Sequence, residues 1–155
     1  MKVGIIVFSQ TGHTLSVALK VEGKLAEAGH AASIERIEVS GPVRPGATDL
    51  ELKTRPAADA YDALVFGAPV MAFSLSPAMA SYLAQIASLE GRKVACLVTE
   101  FFPFPWMGGN RAISQMIEIC ESKGATICGS GVVNWSRLCR GRQITEVTDR
   151  LSKLF

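Results

Sequence analysis

The sequence has no apolar stretch approaching the roughly 20 residues a membrane-spanning helix needs, and its charge is nearly balanced, with 16 Lys and Arg against 14 Asp and Glu. Neither a bilayer nor a nucleic acid is suggested as partner, because no basic stripe interleaved with aromatics is present. The four cysteines, Cys96, Cys120, Cys128 and Cys139, form no CxxC pair and no zinc-finger spacing with histidine. They are expected to be buried, reduced thiols, with no metal site. No lysine follows the first glycine-bearing loop as in a Walker motif, and no GxGxxG is found. Neither a Ser/His/Asp order nor a zincin helix is evident, so the chain offers no hydrolytic machinery. The start passes directly into strand-like residues without a signal-peptide pattern, from which a cytoplasmic location is expected.

What is present is a core-forming composition: 155 residues, 48% hydrophobic and 19% charged, enough for one compact domain over residues 1–155. Residues 3–8 and 63–67 are apolar and β-branched, the pattern of strands covered on both faces, and residues 93–99 repeat it. Residues 31–39 carry Ser33, Glu35 and Arg36 and suit a sheet edge. Residues 126–133, with Gly129 and Gly131, suit the other edge. Helical stripes occur at Ala18, Val21, Leu25 and Ala28, at Met79, Tyr82, Leu83 and Ile86, at Ile113, Met116, Ile117 and Cys120, and at Ile144, Val147, Leu151 and Leu154. Gly29 and Gly124 end two of these, and Ser76-Pro77 is an N-cap followed by proline at the first helical position. Pro42, Pro45, Gly46 and Pro56 predict mostly loop over residues 40–60. Alternating strands and helices imply an α/β, three-layer α/β/α sandwich with a five-stranded parallel sheet, and polar edges favour the order 2-1-3-4-5.

Such a sheet binds ligands beyond the carboxyl ends of its strands, at the switch point between strands one and three. Ser9-Gln10-Thr11-Gly12-His13-Thr14 stands there. Its hydroxyls and the free N–H groups of the following helix would surround a phosphate, and Gly12 lets the backbone bend closely. The plainer alternative is that the hydroxyls only cap the helix. Val7-Phe8-Ser9-Gln10-Thr11-Gly12-His13-Thr14 resembles the S/T-x-T-G-x-T phosphate loop of flavodoxins, and Tyr61-Asp62-Ala63-Leu64-Val65-Phe66-Gly67-Ala68-Pro69-Val70 resembles that family's third strand and flavin loop. The resemblance runs through nearly the whole chain. It implies a flavodoxin-like fold and noncovalent FMN, with Ser9, Thr11, Gly12, His13 and Thr14 on the 5′-phosphate and Gln10 giving a backbone N–H.

An isoalloxazine ring needs apolar or aromatic flanks and backbone polar groups at its edge. The segment Pro69-Val70-Met71-Ala72-Phe73 offers Met71 or Phe73 as a flank, with core filling as the alternative. Residues 99–110 place Phe101, Phe102, Phe104 and Trp106 beside Pro103 and Pro105. The family resemblance implies that backbone of Thr99, Glu100, Phe101 and Phe102 meets the pyrimidine edge and that Trp106 or a neighbouring Phe covers a face. A dimer contact or a cover for the sheet end is the alternative. Gly108 opens the next helix, as an anion site or as a hinge and N-cap. Trp135, after the fifth strand, points to the same end, with structural packing as the alternative, and Arg137, Arg140 and Arg142 form either a solvated loop or an attractor for an acidic redox partner or an NADPH phosphate. The resemblance implies electron transfer through FMN. It leaves open a carrier docking on a redox partner protein, an FMN-dependent NAD(P)H:quinone or FMN reductase type enzyme serving a small-molecule electron acceptor, and a flavin-free interaction module, as monomer or homodimer.

Overall fold

The computed structural model describes residues 1–44, 50–102, 104, 106–136 and 138–155. The expectations placed on Pro45, Gly46, Pro103, Pro105 and Arg137 fall outside the described residues. In chain order the elements are β1 (Lys2–Val7), α1 (His13–Glu27), β2 (Ala31–Arg36), a 3-10 turn (Ala58–Ala60), β3 (Ala63–Met71), β4 (Ser74–Leu75), α2 (Pro77–Gln85), β5 (Lys93–Glu100), α3 (Gly109–Ser122), β6 (Thr126–Asn134) and α4 (Arg140–Ser152). Five strands pair in parallel in the order β2-β1-β3-β5-β6. This is the 2-1-3-4-5 arrangement expected, with polar β2 and glycine-bearing β6 at the edges.

Strand alternation divides the core between two faces. Ile6, Leu64, Phe66, Val94, Cys96 and Val98 pack with α2 and α3 residues such as Met79, Leu83 and Met116. Val3, Ile5, Val65, Ala95 and Leu97 pack with Val17, Val21 and Leu25 of α1 and Val147 and Leu151 of α4. Each crossover therefore buries one helical stripe on one side of the sheet, and the parallel strands bring all the carboxyl-end loops together at one end of it.

Several details differ from the sequence reading. β3 continues to Met71 and turns back through a sixth, two-residue strand, β4, antiparallel to it. Ala72 and Phe73 sit in the turn at φ 49° and 61°, the positive-φ pair that a type I′ hairpin requires and that glycine or asparagine ordinarily signals. Without such a residue the hairpin left no mark in the sequence. β2 stops at Arg36, and the chain then makes a single antiparallel bridge, Val39 with Leu52. Ile86 and Leu154 lie just past their helices yet pack against the core, while Ala28 is exposed at the α1 C-cap. Ser76 flanks α2, but its hydroxyl makes no capping bond and is buried without a partner.

The cysteines are corrected in part: Cys96 and Cys120 are buried, Cys128 is half-buried and Cys139 exposed. Cys128 lies on the edge strand and Cys139 at the α4 N-cap, where no second layer covers them. A hydrogen bond with Cys120, together with burial, holds the Cys96 thiol well above its ordinary value. Among the described residues no helix is long and apolar enough to cross a membrane, and no group of three or more His, Cys, Asp and Glu could hold a metal.

Candidate functional site

The loop after β1 turns into α1 through Gly12, which is the N-cap at φ 86° and offers no side-chain cap. Ser9 supplies the hydroxyl: its Oγ accepts from Gly12 N at 3.1 Å and from Leu15 N at 3.4 Å. Ser16 N reaches Gly12 O at 2.9 Å, so the N–H groups of His13 and Thr14 are left without an intrahelical acceptor. The first turn carries no acidic residue. The helix start is thus an uncompensated positive pole fronted by two donors. Gln10 and Thr11 are exposed beside it, and Ser9, Gly12 and His13 are half-buried.

Thr14 is different, since only 1% of its surface is exposed and its Oγ1 bonds Thr99 Oγ1 at 2.8 Å. It joins the first loop to the end of β5. His13 joins the same loop to the end of β6 by stacking on Trp135, with ring centroids 3.9 Å apart at 11°. The Arg140 guanidinium lies 4.8 Å from that indole and also donates to Trp135 O at 2.7 Å. Sequence reasoning placed Trp135 at this end but not this stack, because the two rings are far apart in the chain.

Beyond β3 and β5 the character changes from polar to aromatic. Phe73, Phe101, Phe102, Phe104 and Trp106 are all large, apolar and exposed, Trp106 at 72%. Phe73 stacks on Phe102 at 5.3 Å, Phe101 meets Phe102 edge-on, and Phe104 stacks on Trp106 at 5.6 Å. Five such side chains at the carboxyl end of the sheet form the kind of apolar surface that marks a binding site. Phe73, Trp106, Met107, Gly108 and Arg111 line a hollow of about 460 Å³. Pro69, Val70 and Met71 are half-buried behind it, and Ala72 is exposed at the tip of the turn. Gly108 is buried at φ 115°, where a Cβ would come within 2.7 Å of Phe73 Cα. Only glycine lets α3 start this close to the hairpin.

Glu100, at the end of β5, is 3% exposed. Its Oε1 accepts from Asn134 Nδ2, and Asn134 also donates to Phe102 O at 3.0 Å. Gln143 of α4 clamps Asn134 in turn, accepting from its N–H at 2.8 Å and donating to Oδ1 at 2.9 Å. The N–H of Gly109 lies near enough to the Glu100 carboxyl to favour its charged form, so β5 brings an acidic group to the first turn of α3, which has none of its own. Glu100 Oε2 has no partner. Burial outweighs both contacts and raises this carboxyl above its ordinary value. Glu100 thus lies beneath the aromatic loop and anchors it, a role its place in the sequence did not disclose.

No protein-family model and no curated protein sequence matches the chain. Solved structures do match. Oxidised flavodoxin 2 from Bacillus cereus is 18% identical with a TM-score of 0.72 over 100% of each chain. A flavodoxin variant from Pseudomonas aeruginosa is 15% identical with a TM-score of 0.71, covering 99% of this chain and 98% of that one. A flavoprotein from Lactobacillus acidophilus, solved in complex with FMN, is 15% identical with a TM-score of 0.66 over 95% and 98%. The chain has the flavodoxin fold.

Proposed function

We propose that the protein binds FMN noncovalently and moves electrons through it. The observation that carries this reading is the pairing, at the carboxyl end of the sheet, of an α1 start whose first two N–H groups are free with an exposed aromatic wall. The residues fit the cofactor at both ends. The N–H groups of His13 and Thr14, the hydroxyls of Ser9 and Thr11 and the exposed Gln10 suit a phosphate. Phe73, Phe102 and Trp106, with half-buried Met71, suit a flat apolar ring. FMN would supply the redox chemistry, and the protein would orient it, exclude water from its faces and hold its polar edge on backbone from Thr99 to Phe102. Two solved structures of this fold agree in kind: one is a flavodoxin and one holds FMN.

A reductase reading is favoured by one observation, the net charge of +2. An electron carrier gains its association rate from charge opposite to its partner's, and this chain carries little. The visible spectrum of the purified protein tests the main reading: flavin bands, or their appearance on reconstitution with FMN, are expected. Colourless protein that takes up no FMN in a calorimeter would overturn it. Anaerobic NADH or NADPH then separates the two roles, with rapid bleaching expected of a reductase and none of a carrier.

A further inference from the structure

A second cleft opens beside the phosphate loop, at the carboxyl end of edge strand β2. It has a volume of about 300 Å³ and shares Ser9 and Gln10 with that loop. Its remaining wall is a built structure. The chain returning along residues 50–54 pairs with residues 36–40 through the Val39 and Leu52 bridge and through Ser40 N to Glu51 O and Lys53 N to Glu38 O, at 2.9 and 2.7 Å. The Thr54 hydroxyl donates to Arg36 O at 2.7 Å and accepts from Glu38 N at 2.8 Å, locking the end of β2 in place.

The lining has three chemical characters. Phe8, Ile37 and Val43 are buried and form an apolar floor. Arg36 and Lys53 are exposed cations on the rim, and among the described residues neither is held in an ion pair. Arg36 Nη2 leans on Ser9 O at 3.4 Å, so the guanidinium stands against the first loop with donors to spare. Glu38 adds an exposed carboxylate.

We propose that this cleft binds a nucleoside 5′-phosphate moiety, as one half of a dinucleotide. A planar base would lie on the apolar floor. The Glu38 carboxylate would accept the ribose hydroxyls, as an acidic residue near the end of a second strand does in dinucleotide-binding sheets. Arg36 and Lys53 would meet the phosphate, on the side facing Ser9 and Gln10. The volume stands at the lower end of ligand pockets, about 300 Å³, and suits one nucleoside. The inference rests on the FMN reading only for what lies next door: a flavin dinucleotide would fill both sites, whereas a nicotinamide dinucleotide would use this one beside bound FMN.

The test is calorimetric titration of AMP into the full chain, with and without FMN, for the native protein and for Arg36→Gln, Lys53→Gln and Glu38→Gln. AMP is expected to bind the native protein. Losing one charged hydrogen-bonding partner should weaken it about tenfold or more, while FMN affinity is unchanged in Glu38→Gln, whose carboxylate is assigned to the ribose rather than to a phosphate. The Glu38→Gln loss should shrink for 2′,3′-dideoxy-AMP. Tighter binding of FAD than of FMN, abolished by Arg36→Gln, identifies a flavin dinucleotide as the source. Competition of NADH or NADPH with AMP on FMN-loaded protein identifies a nicotinamide dinucleotide. No AMP binding to protein that takes up FMN would sink the proposal, as would inorganic phosphate competing as well as AMP does. AMP binding without FMN uptake would sink the FMN reading and leave this one standing.

Discussion

The bond between Thr14 and Thr99 ties the first loop to the third, and replacing both partners reads its strength. Each residue is almost fully buried, at 1% and 3% exposure, and the oxygens are 2.8 Å apart. In Thr14→Val the methyl replaces the hydroxyl in nearly the same volume, so packing is kept and Thr99 is left with an unsatisfied buried hydroxyl. The cost of such an orphan is about 1–3 kcal/mol, and Thr99→Val should cost the same for the mirror reason. With both hydroxyls gone no orphan remains, and the double variant should lose about 1 kcal/mol or less. The coupling energy is then about 1–5 kcal/mol. Urea unfolding with an unchanged m-value measures it, and each kcal/mol should appear as a shift of about 2–4 °C in Tm for a chain of this size. The double variant should also keep FMN affinity within about threefold, under 1 kcal/mol, because Thr14 would serve a phosphate through its N–H, which valine retains. A double variant as unstable as the two singles added together would show that the hydroxyls do not depend on each other, and the link between the loops would be lost.

Ala72 sits at φ 49° in the β3–β4 turn, where a Cβ costs about 1–2 kcal/mol; after the added freedom of the unfolded chain is subtracted, Ala72→Gly should gain about 0.5–1 kcal/mol in denaturant unfolding. Glu100 gives a pH signature. Its folded-state carboxyl is raised above the ordinary 4.5 by burial, so the folded chain holds this proton more tightly than the unfolded chain. The favourable contribution is therefore complete below the unfolded value and fades as pH rises through the folded value, leaving a net cost above it. Glu100→Gln keeps an acceptor for Asn134 and should flatten that decline. Identical profiles of unfolding midpoint against pH in the two proteins would refute the assignment.

How far the molecule could be read in advance follows from where each signal was stored. The sheet order was legible because it depends on composition alone: polar residues Ser33, Glu35 and Arg36 cannot occupy a strand covered on both faces, and the five-strand path places β2 at the edge. The turn of the first loop into α1 was legible because Ser9, Gly12 and Thr14 are adjacent in the chain and a glycine turn into a helix start is a local device. The hairpin was not, since its positive-φ positions are filled by Ala72 and Phe73 rather than glycine. Glu100 was hidden for another reason. Its partner Asn134, which also donates to the Phe102 carbonyl, comes from β6, and its neighbour Gly109 comes from α3, and such a junction exists only once the sheet has assembled.

The site is divided in polarity, and that division bears on how it would be used. Around the first loop the side chains Arg36 and Arg140 join the positive pole of α1, while no acid enters the first turn. Around the third loop the exposed surface is aromatic, and the one acid nearby, Glu100, is buried behind it. A bound phosphate end would therefore be held by charge and would bring that charge close to neutral. The ring end, where Arg111 is the one charged residue lining the hollow, would be held mainly by contact area. An electron partner, large or small, would then approach over Phe73, Phe102 and Trp106 rather than over the basic side, and that encounter should depend less on salt than phosphate binding does, since apolar contacts are not screened and Arg111 is the one charge lining the hollow there.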